Sequence, residues 1–213
     1  MSSTKKTKIK SVARNDNDKF DLREKILATA RRMVLENGFA SLSIRKLAEK
    51  VGYAPGTIYL YFQNRDEITR EICVRGFVQL SEAIKSVADI SEPVEHLYAL
   101  LHAYTDFAVE NPETYRLSFM EDPKFTEEIF RAAPLETEQG AGRQAFAEIV
   151  KVVRKLKENG KLAAEADENL IAEMFWTGIH GVVSLKLIYP AFPTNSVETL
   201  VNKMVKTLVK GLQ

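Results

Sequence analysis

The sequence predicts an all-α chain, a three-helix helix-turn-helix head followed by a helical body, with about nine or ten helices in total. Three observations carry that expectation. Apolar residues recur at helical spacing through most of the 213 residues, and no segment sustains the alternation of a strand. Glycine and proline fall between the periodic stretches, where helices stop and start. The stretch Ser43–Phe62, SIRKLAEKVGYAPGTIYLYF, has the shape of two short helices around a glycine turn.

Residues 1–19 are polar and carry Lys5, Lys6, Lys8, Lys10, Arg14 and Lys19. They are expected to be disordered in isolation, either as a solvated tail or as an arm lying along phosphates. A first helix is expected from Asp21 to about Asn37, with Asp21 and Glu24 as a capping pair. Leu22, Ile26, Ala30, Met33 and Val34 form its apolar stripe, and Gly38 stops it. In the second helix Ile44, Leu47, Ala48 and Val51 form the stripe, Ser43 caps, Leu42 staples onto Leu47, and Gly52 ends it. Pro55 suits the first turn of the third helix, which is expected to bury Ile58 with Tyr61 or Phe62 and to turn Thr57, Tyr59 and Leu60 elsewhere. The second helix of such a pair enters the DNA major groove. A long fourth helix is expected from near Asn64 to about Val87, with Asp66 and Glu67 in its first turn and no glycine-proline linker before it.

In the body, Pro93 opens a fifth helix that carries Leu97, Leu100, Leu101, Tyr104 and Ala108 and breaks at Asn111-Pro112. Short helices are expected near Pro112–Met120 and around Phe125–Ala132, then a loop from Pro134 to Gly142. Three more follow: about Arg143 to Glu158, about Asp167 to Tyr189, and Ser196 to about Lys210.

Charge divides along the chain. Residues 1–70 hold 15 basic and 8 acidic side chains, a net of +7, while residues 71–213 hold 15 basic and 21 acidic, a net of −6. The positive excess therefore coincides with the helix-turn-helix pattern, as a phosphate-binding module requires. The single cysteine, Cys73, excludes an internal disulfide framework and fits a reducing, cytoplasmic setting. No run of about 18 apolar residues suggests a membrane span, and the N-terminus lacks a secretory core. His96, His102 and His180 show no metal-ligand spacing. No nucleophile–base pair or phosphate loop supports an enzyme, and no metal or cofactor is expected. A helical interaction protein that keeps the fold without reading DNA is the other class open to this sequence.

From Leu22 to Ile68, with the glycines, Thr57, Ile58, Tyr59, Tyr61 and Phe62 in register, the sequence resembles the TetR family of transcriptional regulators. Trp176-Thr177-Gly178-Ile179-His180-Gly181 is similar to a tryptophan–histidine–glycine motif of one subgroup. The resemblance implies a homodimer on a pseudo-palindromic double-stranded DNA operator, usually a repressor. A small-molecule effector in the body would shift the fourth helix and spoil the spacing of the two heads. It implies a division into the arm at 1–19, a DNA-binding domain at 20–68, and a ligand-binding and dimerisation domain at 69–213.

By the same resemblance Arg45 and Thr57 match base-reading positions, Tyr59 and Tyr61 phosphate-binding aromatics, and Arg65 a basic phosphate clamp. Ser43 can offer its hydroxyl or N–H to a phosphate, and Gly56 lets the backbone lie close to the groove floor. Ala54, Pro55, Leu60 and Gln63 depart from the polar or basic residues common in relatives. Apolar contact of Ala54, Pro55 or Leu60 with thymine methyls can then replace part of the hydrogen-bond readout. The pocket candidates for a largely apolar effector are Tyr98, His102, Thr105, Tyr115, Phe119, Trp176 and His180. Met174, Gly178, Gly181 and Leu185 line one helical stripe, suited to close packing on a neighbouring helix or a dimer mate. The family's four-helix interface would fall on residues 143–158 and 167–189.

Overall fold

The computed structural model describes residues 16–120, 127, 135–163, 165, 167–192 and 194–212. Helix α1 spans Asp16–Asn37, α2 Ile44–Val51, α3 Pro55–Tyr59, α4 Arg65–Lys85, α5 Pro93–Glu110 and α6 Pro112–Phe119. A 3-10 turn at Phe39–Ser41 lies between α1 and α2, and after a second at Glu138–Gly140 come α7 at Ala141–Glu158, α8 at Glu168–Ile188 and α9 at Val197–Gly211. No strand occurs among the described residues. Apart from residue 127, which is helical, the helix expected around residues 125–132 lies outside the described residues, as do residues 1–15 of the expected arm.

Local chemistry explains most boundaries. Gly38 and Gly52 adopt left-handed φ of 71° and 86° behind α1 and α2, a conformation that glycine takes without a Cβ penalty. The Ser43 hydroxyl caps α2 by accepting from the Lys46 N–H at 3.3 Å. The Asn64 side chain caps α4 by accepting from the Glu67 N–H at 2.8 Å, while the Glu67 carboxylate reaches back to the Gln63 N–H.

Helix α1 corrects the sequence reading. It begins at Asp16, five residues before the expected start, so residues 16–19 belong to a helix rather than to a tail. No glycine or proline interrupts this stretch. Asp21 therefore lies inside the helix and is no cap. Its intended partner Glu24 instead receives a two-pronged hydrogen bond from Arg75, at 2.6 and 2.7 Å. Helix α7 likewise begins two residues early, because Ala141 and Gly142 are buried rather than exposed in a loop.

Two cores stack along α4. Leu22, Ile26, Ala30, Val34, Leu47, Val51, Ile58 and Phe62 of the first three helices and the turn after α3 close on Ile68, Ile72, Cys73 and Phe77 of α4. Leu80 and Ile84, further along the same helix, enter a second core with Leu97, Tyr104, Ile149, Val152, Phe175, Ile179 and Val201. Helix α4 is thus one unbroken bar shared by head and body. Gly76 allows α6 to close on it, because a Cβ there would collide with Ser118 Oγ.

Helix α8 is apolar and long enough, by length and composition, to cross a membrane, with mean hydropathy 1.2 over 18 residues. Its inward stripe of Ile171, Ala172, Phe175, Ile179 and Val183 is buried in the body core, which marks it as a core helix. Among the described residues 28% of that apolar window is buried, and Leu170, Leu185 and Ile188 are exposed on its outer face.

Candidate functional site

The exposed face of the head is built by α2, α3 and the turn behind them. Helix α2 turns Leu47, Ala48 and Val51 inward and leaves Arg45 and Lys46 outward. Neither of these two cations forms an ion pair among the described residues. Other basic groups of the head are engaged: Lys50 with Glu36 at 3.4 Å, Lys25 with the Val51 carbonyl at 3.2 Å, and Arg65 with Asp66 at 3.4 Å. Arg65 remains half-exposed at the start of α4, beside the exposed Gln63 and Asn64.

Helix α3 presents Pro55, Gly56 and Tyr59 outward, with Leu60 immediately behind. Tyr59 is 56% and Leu60 66% exposed. Ala54 is half-buried at the cap, and Tyr61 is half-buried against the head core, where burial and the neighbouring Tyr53 push its phenol pKa up. Thr57 departs from the expectation: it is buried beside Ile58, at 8% exposure. The helix is so short that adjacent residues share its inward half, and Thr57 is drawn in with Ile58.

Ion pairs fasten α1 to α4. Arg75 holds Glu24 of α1 and also donates to Glu71 at 3.1 Å, and Arg23 of α1 donates to the same Glu71 oxygen at 3.2 Å. The hydrogen bond from Arg75 holds the Glu24 carboxyl below its ordinary pKa. Burial opposes the charge of Glu71, but hydrogen bonds from Arg23 and Arg75 outweigh it and lower that pKa too. The Arg23 guanidinium also stacks 4.9 Å above the Phe62 ring.

In the body the pocket candidates separate into two groups. Tyr115 and Phe119 of α6 meet Trp176 and His180 of α8 around a residue absent from the sequence-derived site, Tyr104 of α5. The Tyr104 and Tyr115 hydroxyls lie 3.0 Å apart, and both approach His180 Nδ1, at 3.0 and 2.5 Å. Trp176 meets the Tyr104 ring edge-on at 5.0 Å, and Phe119 lies 5.4 Å from the His180 ring. The signal for Tyr104 was present: a tyrosine on a fully apolar stripe needs a partner for its hydroxyl. With Nδ1 as acceptor, Tyr115 donates to His180 and Tyr104 to Tyr115, so each buried phenol proton has an acceptor. Burial lowers the His180 pKa, in keeping with a neutral ring.

Tyr98 and His102 face another way. His102 Nε2 lies 2.8 Å from Asn202 Oδ1 on α9, and the Tyr98 hydroxyl donates to the Asn202 carbonyl at 3.5 Å. Thr105 is buried and donates to the His102 carbonyl at 3.0 Å. His102 also borders an open groove of about 670 Å³ between α4 and α5, rimmed by Glu82, Asp106 and Glu110. That groove is separate from the aromatic cluster. On α8, Gly178 packs against Met204 of α9, whereas a Cβ on Gly181 would meet nothing within 4 Å.

Residues 26–72 match the family described as bacterial regulatory proteins, tetR family, and residues 97–208, more than half of the chain, match the tetracyclin repressor-like C-terminal domain. The chain is 35% identical over 80 residues to an uncharacterized HTH-type transcriptional regulator of Haemophilus influenzae, an alignment covering 38% of this chain and 43% of that one. It spans about half the length, or less, of the curated relatives it matches first. Its fold is similar to that of the fatty acid degradation regulator FadR from Bacillus halodurans, with a TM-score of 0.71 and 18% identity over 95% of this chain and 99% of that one. FadR from Bacillus subtilis in complex with stearoyl-CoA superposes with a TM-score of 0.68 at 18% identity, covering 89% and 99% of the two chains. With both the head and most of the body matched, the chain belongs to the TetR family of DNA-binding transcriptional regulators.

Proposed function

We propose that this regulator is a homodimeric repressor that binds a pseudo-palindromic operator through residues 20–68 and is released by a small, largely apolar effector held in residues 69–213. The observation that carries this reading is the unbroken α4, which belongs to the head core at Ile68–Phe77 and to the body core at Leu80 and Ile84. A displacement of the body end of this helix has no flexible joint in which to dissipate before it reaches the head.

Arg45 reads a base edge in the major groove, where a guanidinium fork matches guanine O6 and N7. Ser43, Tyr59, Tyr61 and Arg65 meet phosphates, and Ala54, Pro55, Gly56 and Leu60 approach the groove floor. Thr57 contributes by packing the helix rather than by reading bases, because its side chain is buried. Dimerisation uses α7 and α8. Their support is the uncovered apolar face of α8, with Leu170, Leu185 and Ile188 at 56%, 41% and 50% exposure, and the open space beside Gly181.

The effector is placed at the cluster of Tyr115, Phe119, Trp176, His180 and Tyr104, where aromatic walls surround a few polar groups. FadR of Bacillus subtilis, crystallised with stearoyl-CoA, shows that this fold accommodates a ligand with a long apolar chain. Light scattering on the purified chain and on its complex with a selected duplex tests the assembly. Two chains alone and two per duplex are expected; a monomer at micromolar concentration contradicts it.

A further inference from the structure

We infer that Leu60, with Gly56 as the recess beside it, reads thymine through its C5-methyl group, so that the centre of each operator half-site is specified by apolar contact rather than by hydrogen bonds. This rests on the DNA-binding reading and narrows it.

Four observations converge on these two residues. Leu60 is the most exposed large apolar side chain among the described residues, at 66%, and it stands directly behind the recognition helix. Exposure alone would mean little, since isolated surface leucines are common. Gly56 lies one turn earlier, at i and i+4, so the two share one face. A glycine in a helix costs stability relative to alanine, yet nothing among the described residues requires one here. Its φ is not left-handed, and a Cβ on Gly56 would meet nothing within 4 Å. The demand for a missing side chain therefore comes from outside the molecule. Finally, Thr57, which follows Gly56, has its side chain buried, so the exposed hydroxyl between the two residues is that of Tyr59 alone.

The groove edge permits only one complement. In the major groove the other edges present N7, O6, O4 and amino groups, all of which lose hydration against a leucine without gaining a partner. The thymine methyl alone gains by that contact. Arg45 and Lys46, outward and without ion pairs among the described residues, supply charge at the neighbouring α2, so the apolar patch sits inside a cationic frame.

Deoxyuridine removes only the methyl group and leaves base pairing intact. Burial of one such carbon corresponds to about fourfold in affinity, or about fifteenfold when both half-sites change. The test starts by selecting tight duplexes from a random-sequence library with the full chain. Thymines of the selected duplex are then replaced by deoxyuridine, one symmetric pair at a time. The wild-type protein is expected to lose about fifteenfold at one symmetric thymine pair. Leu60→Ala should bind the parent duplex more weakly by a similar factor and be indifferent to deoxyuridine there, with an unchanged melting temperature because the side chain is exposed. Gly56→Ala should weaken the parent duplex while leaving or raising the melting temperature. A preferred duplex whose thymines all tolerate deoxyuridine, or a Leu60→Ala protein that keeps full methyl sensitivity, overturns this inference and leaves DNA binding standing. Recovery of no preferred duplex overturns both.

Discussion

The ring of Phe119 meets that of Phe77 edge-on at 4.8 Å, joining the last residue of α6 to the α4 residue where the head core ends. On its other side Phe119 touches Tyr104, Tyr115, Trp176 and His180, at centroid distances from 4.8 to 6.3 Å. One side chain thus links the proposed effector cluster to the helix that carries the head. A second link runs beside it, where Arg31 of α1 donates to Thr114 Oγ1 of α6 at 2.6 Å.

A double-mutant cycle of Phe77→Leu and Phe119→Leu, read by denaturant unfolding, is therefore expected to show a coupling of about 0.5–1.5 kcal/mol, the range for aromatic pairs beyond their buried area. Additive losses would mean that the two rings share a core without sensing each other.

Gly76→Ala should destabilise the protein by about 1–3 kcal/mol, because the new methyl drives into Ser118 Oγ and Thr114 on α6. The gain in helix propensity, up to about 1 kcal/mol, opposes this and is outweighed. Gly178→Ala should cost less, since it meets only the flexible thioether of Met204. Thermal melts of the two variants check the order, and equal losses would contradict the close α4–α6 contact.

Acidification should weaken the fold before any carboxylate titrates. Burial lowers the pKa of His180, and burial together with the charge of Lys155 lowers that of His96. In the unfolded chain both titrate near about 6.5. Between that value and their lower native pKa the unfolded state binds more protons, so stability falls as pH drops through about 6.5. His180→Gln should flatten that slope in part, with His96 supplying the remainder. A pH-independent midpoint over this window would show that neither ring is held neutral.

Arg45→Ala should cost about 1–3 kcal/mol on the preferred duplex and relax selectivity at one position per half-site. Arg65→Ala should weaken binding to all duplexes alike and flatten the salt dependence. Binding measured across a set of single-base variants separates the two. A uniform loss for Arg45→Ala would assign it to phosphate instead.

Helix boundaries were legible where the chain carries its own stops: Gly38, Gly52, Pro93, Asn111-Pro112 and Pro190 all fall at or just beyond observed helix ends. The inward stripes of α1 and α2 were equally plain, since helical periodicity is a local property. What the sequence hid depends on distant partners. Glu24 sits in good capping spacing from Asp21, yet binds Arg75, 51 residues away. Tyr104 looks like one more apolar stripe residue until Tyr115 and His180 close on its hydroxyl. Thr57 looks available until the shortness of α3 folds it inward. The division of the pocket candidates follows from α9, whose Asn202 takes Tyr98 and His102 away from the aromatic cluster.

The affinity ratio between a library-selected duplex and its scrambled counterpart, measured by fluorescence anisotropy at about 150 mM salt, tests the central claim most directly. A sequence-reading head should favour the selected duplex by at least about 10³-fold, with affinity for both falling steeply as salt rises. Equal binding to the two duplexes, or binding indifferent to salt, would contradict the assignment of this chain as an operator-reading regulator.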